Sequence, residues 1–317
     1  MSTASYNCPC CGGGPLKFSG ESGKLECTAC GNNYEPEALE MMTPEESIDE
    51  ITFANDAKRF DTGEAGMRAY FCKNCGAELM ADETAAAECP YCGSPTILPD
   101  RIEDGVKPEK VIPFVVTKEQ AQKQFEDSFK GKTLLPNVFL NSRNRISEMR
   151  RLYIPYWLFS CDACADMVYD AEKVHTEQKG EWEITRTKHY LVRRRGGMRF
   201  ENIPVDGSVK MDDKLTESLE PYDLSAAIPF QSAVLAGAMA DHADADCDAC
   251  EKRAVERSVE QTMLDTVRDY DTVSERSRRI IAERGSATPA LLPVWLMTTV
   301  KEGKTYTFAV NGQTGKL

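Results

Sequence analysis

The sequence predicts an α+β protein: two small N-terminal zinc ribbons, then a mostly antiparallel sheet domain with flanking helices. Three observations carry this. Four Cys-x-x-Cys-Gly knuckles fall within the first 93 residues. After residue 104, short apolar runs alternate with turn signals such as Arg195-Gly196-Gly197 and Glu302-Gly303. Helical periodicity is confined to a few separate segments. The implied boundaries are 1–36 for ribbon 1, 37–66 for an acidic linker, 67–100 for ribbon 2 and 104–317 for the C-terminal domain.

The knuckles are Cys8-Pro9-Cys10-Cys11-Gly12, Cys27-Thr28-Ala29-Cys30-Gly31, Cys72-Lys73-Asn74-Cys75-Gly76 and Cys89-Pro90-Tyr91-Cys92-Gly93. Fifteen residues separate the first two and 13 the last two, the interval of a four-cysteine zinc ribbon written twice. Thiolates at i and i+3 reach one metal only if the chain turns tightly between them. Gly after the second Cys takes the positive φ that such a turn leaves. The expected ligands are Cys8, Cys11, Cys27 and Cys30 at one Zn2+, and Cys72, Cys75, Cys89 and Cys92 at a second, with Cys10 outside the set. A redox Cys-x-x-Cys works as one pair, so four pairs in ribbon register do not read as dithiol chemistry. Modules this small fold on their metal. Cys75→Ser is therefore expected to release one zinc and unfold ribbon 2 while sparing the C-terminal domain.

Between the ribbons, Glu35 to Glu50 carries seven acidic residues and no Lys or Arg. Thr43-Pro44-Glu45-Glu46 has an N-cap, a proline for the first helical position and acids for the positive helix end, so a short linker helix is expected. In the C-terminal domain 111–116 reads as a strand, and 118–130 as a helix with Ala121, Phe125 and Phe129 on one face. Residues 152–159 are apolar or aromatic throughout, a strand covered on both faces, with Pro155 implying an edge or a bulge. Further strands are expected at 166–175, 182–193, 198–204, 292–300 and 304–310. A long helix is expected at 247–270, with Val255, Val259, Met263 and Val267 as a core-facing stripe.

Composition narrows the function. Thirty-eight Lys plus Arg against 51 Asp plus Glu give a formal net charge of −13, which disfavours non-specific nucleic-acid binding. Twelve of 13 cysteines lie in Cys-x-x-Cys pairs, and zinc thiolates need reduced sulfur, which points to the cytosol. The first seven residues lack the pattern of a secretory signal, and the longest apolar stretches, 233–240 and 290–297, fall far short of the ~20 residues that span a bilayer.

Other constellations are less specific. Cys161-Asp162-Ala163-Cys164 and Cys247-Asp248-Ala249-Cys250 repeat one tetrapeptide 86 residues apart. They are read as a third zinc site, as unrelated thiol pairs or as a disulfide switch. Asp241, His242, Asp244 and Asp246 beside the second pair lack calcium-loop spacing and are read as a solvated loop and cap. Gly131-Lys132-Thr133 and Gly303-Lys304-Thr305 end like phosphate loops, but Glu126 and Thr298 stand where the leading Gly is required. No hydrolase, zinc-protease or dinucleotide motif occurs, and the three histidines, His175, His189 and His242, form no pattern. Arg193, Arg194, Arg195 and Arg199, with Arg143, Arg145, Arg150 and Arg151, either pair with the abundant carboxylates or form a cationic patch for phosphates.

The phrases Cys89-Pro90-Tyr91-Cys92-Gly93-Ser94-Pro95-Thr96, Lys107-Pro108, Val111-Ile112-Pro113-Phe114, Tyr153-Ile154-Pro155-Tyr156-Trp157-Leu158-Phe159, Pro204-Val205-Asp206-Gly207-Ser208, Leu292-Pro293-Val294-Trp295 and Asn311-Gly312-Gln313-Thr314-Gly315-Lys316 occur in this order. Over 67–317 the chain resembles the bacterial TFIIB-type zinc-ribbon-containing proteins, relatives of which are labelled primosomal or helicase-like. The resemblance implies no catalytic activity. It implies a cytoplasmic scaffold beside flotillin-like and envelope-stress proteins, usually followed by transmembrane helices. The sequence stops at Leu317, where such an anchor would begin, so either a soluble variant or a chain without its anchor is expected.

The expected function is thus a non-enzymatic zinc-binding adaptor or scaffold with two Zn2+, or three if the later pairs join. Protein partners are expected, and the cytoplasmic face of the membrane enters by resemblance only. Two alternatives stand beside it: a nucleic-acid-binding accessory factor using the ribbons, and a redox switch or enzyme using Cys161, Cys164, Cys247 and Cys250.

Overall fold

The computed structural model describes residues 8, 15–42, 47–60, 68–81, 88–95, 97–100, 105–128, 130, 149–301 and 304–317. Strands dominate and helices are few. In chain order they are β1 (Leu16–Phe18), β2 (Leu25–Cys27), β3 (Asn33–Tyr34), α1 (Pro36–Met42), β4 (Ile48–Ala54), β5 (Arg68–Cys72), β6 (Glu78–Ala81), β7 (Ile97–Asp100), β8 (Lys110–Val111) and α2 (Lys118–Ser128). There follow β9 (Arg150–Lys179), β10 (Trp182–Asp206), α3 (Asp213–Ser218), β11 (Ile228–Pro229), β12 (Met239–Asp241), α4 (Cys247–Val255), α5 (Gln261–Asp265), β13 (Thr272–Lys301) and β14 (Lys304–Asn311).

β1, β2 and β3 form a small antiparallel sheet. A second sheet orders its strands β11-β8-β13-β9-β12-β6-β5-β7, with β10 beside β9, and β14 and β4 beside β13. Its pairings are mostly antiparallel; β8 with β13 and β12 with β9 run parallel. The α+β class with small N-terminal knuckles is therefore present.

Packing divides the chain into two compact units, each drawn from three stretches. One comprises Met1–Ile51, Ala163–Met198 and Val259–Ala282; the other comprises Thr52–Asp162, Arg199–Ser258 and Glu283–Leu317. Residues 104–317, read from sequence as one domain, thus contribute to both. In the first unit Arg278 bridges Asp49 at 2.7 Å and Glu260 at 2.6 Å, and Arg276 grips Asp170.

The second unit holds the main core, and β9 shows how strand period builds it. All of 152–159 is buried. Side chains alternate across a strand, so Leu152, Ile154, Tyr156 and Leu158 enter one cluster with Leu292, Val294 and Leu296 of β13. Tyr153 enters another with Leu291 and Val111. Each such aliphatic side chain contributes roughly 1.5–3 kcal/mol of burial free energy. Pro155 lies in an internal strand, not at an edge. The β12 ladder ends at Tyr153, so it requires no N–H from residue 155.

β12 is only three residues long and wholly buried, yet it joins ribbon 2 to the body. It pairs antiparallel with β6 (Met239↔Ala81, Asp241↔Leu79) and parallel with β9 (Met239↔Leu152, Ala240↔Tyr153). Cys72, Ala77, Leu79, Cys89 and Tyr91 consequently share one core with Leu152, Tyr156 and Leu292. Ribbon 2 is therefore packed into the body, where the sequence suggested a module able to unfold by itself.

Several local expectations change. Residues 37–66 contribute β4 as well as acidic chain, and α1 begins at Pro36; Thr43-Pro44-Glu45-Glu46 lies outside the described residues. Within 111–116 only Val111 is in a strand. α2 stops at Ser128 with Ala121 and Phe125 buried, and Phe129 lies outside the described residues. No turn forms at Arg195-Gly196-Gly197: β10 runs through, held to β9 by Arg193 with Asp166 and by Arg199 with Asp162. The β9–β10 turn falls at Gly180-Glu181, where Gly180 takes φ 66°. Lys301 pairs with Lys304 across the Glu302-Gly303 turn, whose own residues lie outside those described. The helix expected at 247–270 is α4, a π-helical turn Glu256–Glu260 and α5, with Val255, Val259, Met263 and Val267 all buried as anticipated.

Candidate metal centres

In ribbon 2 both knuckles fold by the same two backbone bonds. Gly76 N donates to Cys72 O at 2.8 Å and Cys72 N to Ala77 O at 2.9 Å. Gly93 N donates to Cys89 O at 3.0 Å and Cys89 N to Ser94 O at 2.9 Å. Closing these turns puts Gly76 at φ 72° and Gly93 at φ 70°, the left-handed region that glycine enters without a Cβ penalty.

The result is convergence. The sulfurs of Cys72, Cys75, Cys89 and Cys92 all lie within 4.8 Å of one another, with Cys72–Cys92 and Cys75–Cys89 each at 3.6 Å. A tetrahedral zinc with bonds of about 2.3 Å requires sulfurs about 3.8 Å apart. The donor set fits zinc, and four thiolates complete its coordination. Burial pushes the Cys75 thiol up to about 11 and Cys89 higher still. At Cys92 burial acts the same way, but the Asn74 side chain and the Ser94 N–H outweigh it and bring the thiol down to about 7. A dication entering this cluster displaces mostly thiol protons.

The body braces the knuckles through their carbonyls. Lys210 Nζ donates to Cys75 O at 3.1 Å, Arg150 Nη1 to Cys89 O at 3.0 Å and Thr298 Oγ1 to Pro90 O at 3.1 Å. The Tyr91 hydroxyl donates to Asp241 Oδ2 at 2.5 Å; the same oxygen accepts from Ser208 Oγ, and Asp241 Oδ1 accepts from His242 N at 3.1 Å. Asp241 is therefore a buried strand residue and not part of a solvated loop. Its place at the end of the apolar run 233–240 was the available signal. Asp244 does serve the loop, accepting from Val209 N at 2.6 Å, and Asp246 holds the N-cap position of α4.

Ribbon 1 repeats the turn at its second knuckle: Gly31 N donates to Cys27 O at 3.0 Å, Cys27 N to Asn32 O at 2.8 Å, and Gly31 has φ 75°. Cys8, Cys27 and Cys30 form a second cluster with sulfurs within 4.8 Å, Cys8 and Cys30 being 3.5 Å apart. Cys11, the expected fourth ligand, and Cys10 lie outside the described residues.

Among the described residues the later cysteines form no ligand cluster. Cys161 and Cys164 both sit inside β9, where residues three apart point to opposite faces and are separated by about 10 Å. Cys161 is buried and Cys164 exposed. Cys247 and Cys250 share the first turn of α4, both buried, and burial pushes their thiols up to about 12 and about 11. Cys161, Cys247 and Cys250 do not form a ligand cluster; only the two clusters above occur among the described residues.

Two members of the arginine stretch are paired with carboxylates. Arg193 forks onto Asp166 at 2.7 and 2.6 Å, and Arg199 onto Asp162 at 2.7 and 3.2 Å. Arg194 donates to Thr266 O at 3.5 Å, and Arg195 lies 3.9 Å from Asp166. Arg143 and Arg145 lie outside the described residues.

No protein-family model matches the chain, and no solved structure matches it. Among curated proteins it is 35% identical over 316 residues to the uncharacterized protein YdjG of Bacillus subtilis (strain 168), an alignment covering 99% of this chain and 88% of that protein. Identity at this level, sustained from end to end, means shared descent: the chain belongs to the same family as YdjG.

Proposed function

We propose that this protein is a non-enzymatic zinc-binding adaptor of the TFIIB-type zinc-ribbon kind, serving protein partners at the cytoplasmic face of the membrane. The observation that carries the reading is the closed sulfur tetrahedron of Cys72, Cys75, Cys89 and Cys92, built into the main core. Four thiolates around one dication leave no position for water or substrate, so such a metal stiffens a scaffold and does not catalyse. The pairing of Arg193 and Arg199 with carboxylates, and the net charge of −13, favour protein partners over nucleic acid. The membrane enters through the family resemblance alone. No helix among the described residues is long and apolar enough to cross one.

Two experiments test this. Elemental analysis of the full chain purified without chelator is expected to give two zincs per chain. In-cell crosslinking of the full chain and of its Cys75→Ser form is expected to give a partner set that the variant loses. One zinc, a metal that leaves without disturbing the fold, or identical partner sets would overturn the reading.

A further inference from the structure

A cleft of about 390 Å³ opens beside ribbon 2, within the second unit. Lys118, Arg150, Arg151 and Glu88 line it, above an apolar floor that includes Met239 and Trp295. Three cations to one carboxylate is the reverse of the whole-chain balance of −13. The volume falls in the range of sites that enclose small molecules, roughly 300–1,000 Å³.

Arg151 is the informative residue. It is exposed, and no carboxylate among the described residues pairs with it. Its guanidinium lies over the rings of Phe114 at 5.1 Å and Trp295 at 5.6 Å. Those rings are themselves fixed: Trp295 Nε1 donates to Val116 O at 2.9 Å, and the two rings meet edge to face at 5.3 Å. These cation–π contacts restrain the guanidinium, so less rotamer freedom remains to be lost on binding an anion. Arg150 is placed as firmly, with one nitrogen on Glu88 and another on Cys89 O at 3.0 Å. Lys118 opens α2, so the helix end adds to the positive potential.

We infer that this cleft binds a phosphate-bearing small molecule or headgroup, with Arg151 and Lys118 holding the phosphate and Met239 and Trp295 meeting the adjoining apolar part. A restrained guanidinium and a second cation suit a phosphate, and the apolar floor suits an apolar group attached to it. The cleft shares no residue with either thiolate cluster, and its failure would leave the adaptor reading intact.

The test uses the zinc-loaded full chain. Inorganic pyrophosphate is titrated calorimetrically at low salt, and phosphatidylcholine vesicles with and without phosphatidylglycerol are tested by co-sedimentation. Saturable binding is expected, weakened at least ~10-fold in Arg151→Gln and, separately, in Lys118→Gln. Pyrophosphate binding lost in both variants assigns a soluble phosphate. Binding only to phosphatidylglycerol vesicles, again lost in both, assigns a lipid headgroup. Absence of saturable binding to either probe overturns the inference, as do unchanged affinities in variants with intact zinc content and melting temperature. Should Arg151→Gln lose zinc or melt early, Lys118→Gln decides alone.

Discussion

The phenol of Tyr91, in the middle of the fourth knuckle, donates to the buried carboxylate of Asp241, 150 residues further along the chain. The bond joins a metal-binding turn to the three-residue strand that carries the sheet from ribbon to body. Removing the phenol leaves a buried acceptor short of one donor. Tyr91→Phe should therefore cost about 1–3 kcal/mol in urea unfolding of the zinc-loaded protein while leaving its zinc content unchanged. A variant as stable as the parent would mean that the bond contributes nothing.

Shared packing makes zinc removal a global event. Cys75→Ser should release one zinc per chain and lower hydrogen-exchange protection in 152–158 and 292–296 as well as in 68–81 and 88–95, because these residues belong to one core. Exchange confined to the ribbon segments would show the two to be separable after all.

Thiol reactivity should follow burial rather than motif. With Cys247 and Cys250 pushed up to about 12 and about 11, their thiolate fraction at about pH 8 is ~10⁻³ or less, so both should resist iodoacetamide in the native zinc-loaded protein. Exposed Cys164 should react before either of them. Cys247→Ala with Cys250→Ala should leave zinc stoichiometry untouched. Rapid native alkylation of either residue, seen by mass spectrometry, would contradict this.

Two buried carboxyls tilt stability with pH. Burial pushes Asp206 up to about 7 against the Ser208 N–H, and Asp241 up to about 7 against the Ser208 and Tyr91 hydroxyls. For a carboxyl raised above its unfolded value, the stabilising contribution is complete below about pH 4 and is lost as pH rises through about 7. Asp206→Asn removes one such loss. Held in excess zinc, it should gain on the parent by ~2 kcal/mol between about pH 5.5 and about pH 8. Parallel pH profiles for the two proteins would refute the assignment.

The knuckles were legible because everything they need is local: two thiols, a tight turn and a glycine able to take φ near 70°. The strand at 152–159 was legible for a similar reason, since eight apolar residues in a row require cover on both faces. Cys161-Asp162-Ala163-Cys164 and Cys247-Asp248-Ala249-Cys250 mark the limit. The same four residues are extended in β9 and helical in α4, because neighbouring pairing partners and not the tetrapeptide decide. Gly196 and Gly197 show it again, kept extended where local chemistry suggested a turn. β12 was missed for want of length: three residues carry no period, and only the strands on either side define it.

The bridging strand also sets a timetable for synthesis. Ribbon 2 has its four ligands once residue 92 has left the ribosome, whereas β12 and the β13 segment that completes its core emerge some 150 and 200 residues later. Metal capture can thus come early, and closure of the apolar side of the ribbon must come late. In the interval a zinc-loaded nascent chain lacks the partners that bury Leu79, Met80 and Tyr91 in the folded protein, so metal capture precedes the cover of its own apolar face.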